Sequence, residues 1–301
     1  MKVNLLVPPS SHKFAPADYL ALIKSRLLLL VLISVCMGFF ISIIEETSLI
    51  SLLWTLIGVY CVGGGANTLN QWIEIDADIL MTRTQNRPLP TKRIKPSNAL
   101  SFGLILSIVG FIIIALLVNT ITLLISFLSW LSYLIIYTPL KKRTPLNTWI
   151  GAIPGSLPAV LGCTAASGEV SEHAFIIFLI LFVWQMPHFF AISWIYRQDY
   201  LKGGFKMLSW NDDLGTKTSQ HIFIHSLLLL PVSLSLFLLG HSGVLYLLIT
   251  MTINLIFIFY SVIFYKSPSI KAAKKVFYFS IIYLYILFVA IVFDKFIIYF
   301  L

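Results

Sequence analysis

Charge is what this chain is short of. Only 11% of its 301 residues are Asp, Glu, Lys or Arg, and just 12 of them are acidic. A soluble domain is about a quarter charged, so a water-exposed globule is excluded. Cysteine is nearly missing too. Cys36, Cys61 and Cys163 lie in apolar stretches without paired spacing, which argues against a disulfide framework or a thiolate zinc site. The opening MKVNLLVPPSSHKFAPADYL has neither an apolar core nor a small-residue cleavage site, so it does not read as a signal peptide. What remains is 58% apolar, with a mean hydropathy of +0.93. That composition describes a polytopic membrane protein.

A membrane-crossing helix needs about 20 apolar residues. Nine such stretches are legible, at about 20–44, 49–71, 98–118, 120–140, 148–167, 173–195, 219–240, 243–265 and 276–299. The expected fold is an all-α bundle of nine transmembrane helices around a central cavity, one domain over 20–301 behind a tail at 1–19. All but one of the 21 Lys and Arg residues fall on one side of this topology. Cytoplasmic loops are the basic ones, which predicts a cytoplasmic N-terminus and an external C-terminus. Topology thereby accounts for the net charge of +9, and no nucleic-acid partner is needed.

The most informative stretch is NTLNQWIEIDADILMTRTQNRPLP, Asn67 to Pro90. Continued as a helix, it places Asn67, Asn70, Glu74 and Asp78 on one face and Asp76 on the other. Arg83 and Arg87 follow. Intramembrane carboxylates are costly unless they serve a purpose. A carboxylate stripe with cations beside it suits a hard metal ion that holds a phosphate.

Other segments add polar groups on the same side. Lys24 and Arg26 open the first span. The fourth span ends YTPLKKR, with Tyr133, Tyr137 and Lys141 on one face and Lys142 and Arg143 following. The fifth, GAIPGSLPAVLGC, carries Pro154 and Pro158 among glycines and is expected to bend or unwind locally. The sixth runs into WQMPHFFAISWIYRQDYLKGGFKML. There Gln185, His188, Tyr196 and Asp199 share a face if the helix survives Pro187. Gly63-Gly64-Gly65 reads as a packing notch. His221 and His225 lack a third ligand and read as helix interior. The last three spans are otherwise almost featureless.

Asn70, Glu74 and Asp78 on one helix, with Asp199 on another, can hold Mg²⁺ together with substrate phosphate. Neighbouring Arg and Lys can hold the remaining diphosphate oxygens. With an allylic diphosphate, neutralising that charge promotes C–O ionisation, and the carbocation needs a dry chamber.

The run NQWIEIDADILMTRTQNRPLP resembles the first aspartate-rich motif of the UbiA-type intramembrane prenyltransferases. YTPLKKRTPLNTWIGAIPGSLPAVLG and WQMPHFFAISWIYRQDYLKGGFKML are similar to that family's haem-prenylating branch. The resemblance implies a Mg²⁺-dependent enzyme of the bacterial inner membrane that transfers farnesyl from farnesyl diphosphate to a vinyl group of haem B. It also implies roles by position. Asn70, Glu74, Asp78 and Asp199 hold the metal. Lys24, Arg26, Arg83, Arg87, Lys141 and Lys142 face the diphosphate, while Trp184, Gln185, His188, Tyr196 and Arg197 face the haem. A haem A synthase is the protein partner to expect. Glu74 departs from the family's usual Asp, and Gly203 stands where relatives outside the haem branch carry a second Asp. Two other readings compete: prenylation of an aromatic or quinone precursor, and an ion-coupled secondary transporter built on the proline-rich fifth span.

Overall fold

The computed structural model describes residues 16–44 and 47–300; residues 1–15 of the expected tail lie outside them. Among the described residues the secondary structure is helical throughout, without strands. Eight helices are long and apolar enough to cross a membrane, and a ninth span forms if α1 (Pro16–Ile23) and α2 (Ser25–Ile41) are one helix bent by 47°. That bend falls at Lys24, whose backbone is left-handed (φ 53°, ψ 53°). Buried amides hold it from the neighbouring helix: Asn67 Nδ2 donates to the Ile23 carbonyl at 3.0 Å, and Gln71 Nε2 donates to that of Leu22 at 2.7 Å.

Next come α3 (Leu49–Ile73), the short α4 (Ile75–Leu80) and α5 (Pro96–Leu117). The three glycines of α3 each meet a different neighbour. Gly63 faces Leu28 of α2, Gly64 faces Leu106 of α5 and Ile23 of α1, and Gly65 admits the Gly103 carbonyl and Ser107 of α5. Small residues at such crossings let backbones approach where no hydrophobic force drives association. Then α6 (Thr120–Leu131) turns back directly behind α5. Asn119 caps it, accepting from Thr122 N at 2.8 Å, and also donates to Thr164 O at 2.8 Å.

The sixth helix does not continue as a plain α-helix. Ser132–Tyr137 is a π-helical turn, followed by α7 (Thr138–Leu140). Such bulges gather at functional sites.

Contrary to the expectation of local unwinding, α8 (Asn147–Ser167) is one unbroken helix through Pro154 and Pro158. The reason lies in its surroundings. Pro158 leaves the Pro154 carbonyl without its helical donor, and Ser129 Oγ of α6 supplies one at 3.2 Å. The glycines of α8 serve packing instead. A Cβ on Gly162 would strike the Val35 carbonyl of α2, and one on Gly38 would strike the Ala159 carbonyl of α8. α9 (Glu172–Ile195) likewise runs through Pro187, and α10 (Arg197–Lys202) follows a break at Tyr196. α11 (Thr216–Leu238), α12 (Val244–Lys266) and α13 (Ile270–Phe300) complete the bundle.

A cavity of about 600 Å³ lies inside. Its walls come from α2, α3, α6, α8 and α9, with Leu284 from α13. Its mouth is at the end that carries the basic loops. On α2 the lining runs from Lys24 to Ser34, and on α8 from Thr148 to Leu161. Just beyond those residues Gly38 and Gly162 bring the two helices into backbone contact, so the crossing closes the cavity's deep end.

Candidate active site

The α3 helix stops at Glu74 (φ −99°, ψ 14°) and α4 restarts one residue later. The expected continuous stripe is thus broken, yet Asn70, Glu74 and Asp78 all remain buried and line the cavity mouth. Asp76 points away and is exposed.

Asn70 is clamped on both sides. Its Oδ1 accepts from Lys24 Nζ at 3.3 Å, and its Nδ2 donates to Thr138 Oγ1 at 3.1 Å. The bend at Lys24 delivers the first of these groups and the π-helical turn positions the second. Thr138 Oγ1 in turn donates to the Tyr133 carbonyl at 2.9 Å, inside that turn.

Each of the two buried carboxylates at the mouth has its own cation. Glu74 Oε1 lies 2.9 Å from Lys141 Nζ, and Oε2 accepts from it at 3.2 Å. Oε1 is at ion-pair distance but receives no well-directed hydrogen bond. Both oxygens of Asp78 accept from Arg87 Nη1, at 2.9 and 2.7 Å. The Lys141 ammonium also lies over the Tyr137 ring, 4.7 Å from its centre.

Burial alone would lower the Lys141 pKa, but the Glu74 carboxylate and the Tyr137 and Tyr133 rings outweigh it and hold the ammonium above its usual range. A lysine whose pKa is higher folded than unfolded adds stability that is complete below the unfolded value, about 10.4. It is lost only as pH rises through the folded value. The difference in detergent melting midpoint between wild type and Lys141→Gln should therefore stay constant from about pH 7 to 10. A difference that shrinks inside that window contradicts the pairing.

Asp199 does something different. It sits at the rim, half-exposed, and its two oxygens accept from the backbone amides of Thr82 (3.2 Å) and Arg83 (2.9 Å). Desolvation, the largest single influence, pushes its carboxyl pKa up. The two amides, together with the Thr82 side chain and Lys202, outweigh that and bring it below the ordinary carboxylate value. Asp199 thus pins α10 to the loop that follows the first motif. Arg83 reinforces the junction, lying over the rings of Tyr196 (4.6 Å) and Tyr200 (5.2 Å). Among the described residues no three His, Cys, Asp or Glu side chains are grouped closely enough to hold a metal by themselves.

The sixth span contributes Trp184, Gln185 and His188 to the opposite wall. Gln185 Nε2 donates to Ser156 Oγ at 2.9 Å, tying α9 to α8. Of the other sequence candidates, Lys24, Arg83, Arg87 and Lys141 line the cavity, whereas Arg26, Lys142, Tyr196 and Arg197 do not. Arg26 and Lys142 are exposed. Arg197 pairs with Asp213 outside the cavity. His225 Nδ1 lies 2.7 Å from the His221 backbone carbonyl within α11, and both rings pack against Trp149.

Sequence reasoning missed several lining groups. Trp130 of the wall carried no signal, nor did Thr138, which lies behind the wall as the partner of Asn70. Phe205 and Met207 belong to the GFKML run, which returns over the mouth: Lys206 N donates to the Lys141 carbonyl at 2.7 Å, and Asn147 Nδ2 donates to the Lys206 carbonyl at 2.8 Å.

The profile of the UbiA prenyltransferase family matches residues 31–289. This chain belongs to that family. The UbiA assignment also agrees with individual relatives. The protoheme IX farnesyltransferase of Solibacter usitatus is 38% identical over 92% of this chain and 98% of its own length. That of Flavobacterium psychrophilum is 37% identical over 98% of both chains. Among solved structures, a digeranylgeranylglyceryl phosphate synthase superposes with a TM-score of 0.77 at 23% identity, covering 93% of this chain and 98% of that one. A UbiA homologue from Archaeoglobus fulgidus bound to GPP and Mg²⁺ superposes with a TM-score of 0.67 at 18% identity, over 91% and 99%. The bundle is thus the UbiA fold, and the protein is a multi-pass membrane prenyltransferase.

Proposed function

We propose that this enzyme transfers the farnesyl group of farnesyl diphosphate to a vinyl group of haem B, with addition of water, giving haem O. One observation carries the reading: a single cavity has an ionic mouth and an apolar interior. Two buried carboxylates, each beside a cation, mark the mouth, while leucine, valine and aromatic side chains line the depth. A prenyl diphosphate has that same division of charge. The names of the curated relatives supply the acceptor.

The donor set also fits a metal. Asn70 Oδ1, Glu74 and Asp78 are hard oxygen donors, and Glu74 Oε1 is buried without a hydrogen bond. They fall short of a full shell, which suits an ion that takes one or two carboxylates and completes itself with phosphate and water. Mg²⁺ bound there would neutralise charge on the leaving diphosphate; a homologue of this fold binds it with GPP. Asp199 stands apart in this arrangement. It positions the Arg83 loop and would reach the metal only by giving up the two amides.

The chain's own groups account for the rest. Lys141, Arg87, Lys24 and Arg83 supply positive charge to diphosphate oxygens as the C1–O bond breaks and the electron pair leaves with them. The vinyl π electrons form the new bond to farnesyl C1. The cation left on the porphyrin side takes up water and releases a proton. The apolar walls keep water from reaching the allylic cation first. In this reading the basic end faces the cytoplasm of the bacterial inner membrane, and a haem A synthase takes up the product.

Thr138→Val removes the acceptor of Asn70 Nδ2 with little change in shape. One hydrogen bond is worth about 0.5–1.5 kcal/mol, so kcat/KM for farnesyl diphosphate should fall by up to about tenfold. An unchanged kcat/KM would show that the Asn70 clamp plays no part. The function itself is tested by extracting haem from a host that lacks its own haem farnesyltransferase. Haem O should accumulate only when this gene is expressed; haem B alone in both extracts would refute the proposal.

A further inference from the structure

We propose that Nε2 of His188 is an axial ligand to the iron of the porphyrin that this cavity accepts. The inference rests on the haem reading above and adds a specific bond to it.

Hydrogen-bond accounting assigns which ring nitrogen is free. His188 Nδ1 lies 2.7 Å from Ser280 Oγ of α13. The Ser280 hydroxyl donates to the Phe277 carbonyl at 2.6 Å. A hydroxyl has a single hydrogen, so both contacts are satisfied together only when Ser280 accepts from the imidazole. In that arrangement Nδ1 carries the ring proton and Nε2 carries the lone pair. Among the described residues nothing bonds to Nε2, although the ring is buried. It is the only histidine in the described cavity wall, and Nε2 is not sealed off from the cavity.

The ring is also held in place. It stacks on Trp184 with centres 5.1 Å apart and planes 21° apart, and Phe277 lies at 5.1 Å. Trp184 Nε1 donates to the Ser280 carbonyl at 2.8 Å, so one residue of α13 anchors both rings. A histidine that presents one nitrogen while a hydrogen bond fixes the other is how proteins prepare imidazole for a metal.

Lys24 and Lys141 are engaged with Asn70 and Glu74 at the mouth. Gln185 Nε2 is shared among Ser156, Ala152 and Leu181, and the thioethers of Met81 and Met207 pack with Ala77 and Phe205. A bond from Nε2 to iron would fix the depth and tilt of a flat apolar macrocycle that the surrounding Phe189, Ile192 and Leu284 can only enclose.

The test is spectroscopic. Purified protein is titrated with haem B, reduced, and examined by absorption and resonance Raman spectroscopy, alongside His188→Ala and Ser280→Ala. The expected wild-type spectrum contains an iron–histidine stretching band. His188→Ala should lose that band and bind haem at least about tenfold more weakly, and added imidazole should restore the nitrogen-ligated absorption. Ser280→Ala should keep the band but shift its frequency, because the hydrogen bond to Nδ1 is gone; this variant serves if His188→Ala does not fold. A wild-type complex without the band, a His188→Ala complex that keeps it, or a Ser280→Ala band that does not move would overturn the assignment and leave the transferase reading standing. Failure of the wild type to bind haem would instead remove the reading on which the assignment rests.

Discussion

Asp78→Asn is expected to lower the rate of farnesyl transfer by about a hundredfold or more, and Asp76→Asn by almost nothing. The two carboxylates are two residues apart on α4, and both substitutions remove one negative charge with little change in volume. Asp78 is 1% exposed and receives Arg87 at both oxygens; Asp76 faces outward. Breaking a fully buried ion pair costs about 3–5 kcal/mol. The Arg87 side chain is 29% exposed at the mouth, so the stranded cation keeps contact with water and the fold should survive. Loss of activity should therefore exceed loss of stability. An exposed substitution away from such features usually changes stability by less than about 0.5 kcal/mol. Initial rates for both variants, compared with their melting midpoints, decide the matter. Equal rates for the two would remove Asp78 from the site.

Gly162→Ala should destabilise the bundle far more than its one methyl suggests. The new Cβ would collide with the Val35 carbonyl and crowd the Phe39 amide. Both are backbone atoms, so no side chain can rotate away, and α2 must move off α8. Overpacking of this kind costs about 1–3 kcal/mol. Because the same crossing closes the deep end of the cavity, separating the helices also lengthens it. The variant should melt several degrees lower in detergent, about 2–4 °C per kcal/mol for a chain somewhat smaller than this. Gly168→Ala provides the comparison. Gly168 has open space around it, but its φ of +76° makes any loss there a backbone effect, which would leave cavity size unchanged. A Gly162→Ala protein as stable as wild type would contradict the close crossing.

The parts of this arrangement that were legible in the sequence have a common cause. Asn70, Glu74 and Asp78 stood out because carboxylates at helical spacing next to a membrane span are expensive. The spans stood out because length and apolarity suffice to define them. Less visible was anything that depends on a local backbone change without Gly or Pro to announce it. The break at Glu74 lies within Trp-Ile-Glu-Ile, and the left-handed turn at Lys24 within Ile-Lys-Ser. One member of each basic pair enters the cavity: Lys24, at its left-handed turn, and not Arg26, and Lys141, just after the π-helical turn and α7, and not Lys142. The prolines of α8 pointed to a bend or local unwinding, and the unwinding does not occur. Their cost was visible, but the hydroxyl of Ser129 that compensates one of them lies on another helix. Ser280 sits in a run of Phe, Ile and Tyr and acquires meaning only when α13 packs on α9.

The most direct measurement is made on purified protein supplied with haem B, farnesyl diphosphate and Mg²⁺, with the extracted porphyrin analysed by mass spectrometry. The account predicts one product, heavier than haem B by a farnesyl group and a molecule of water, that disappears when the metal is chelated and returns when it is restored. Haem recovered unchanged, while the same preparation prenylates an aromatic or quinone precursor, would contradict it.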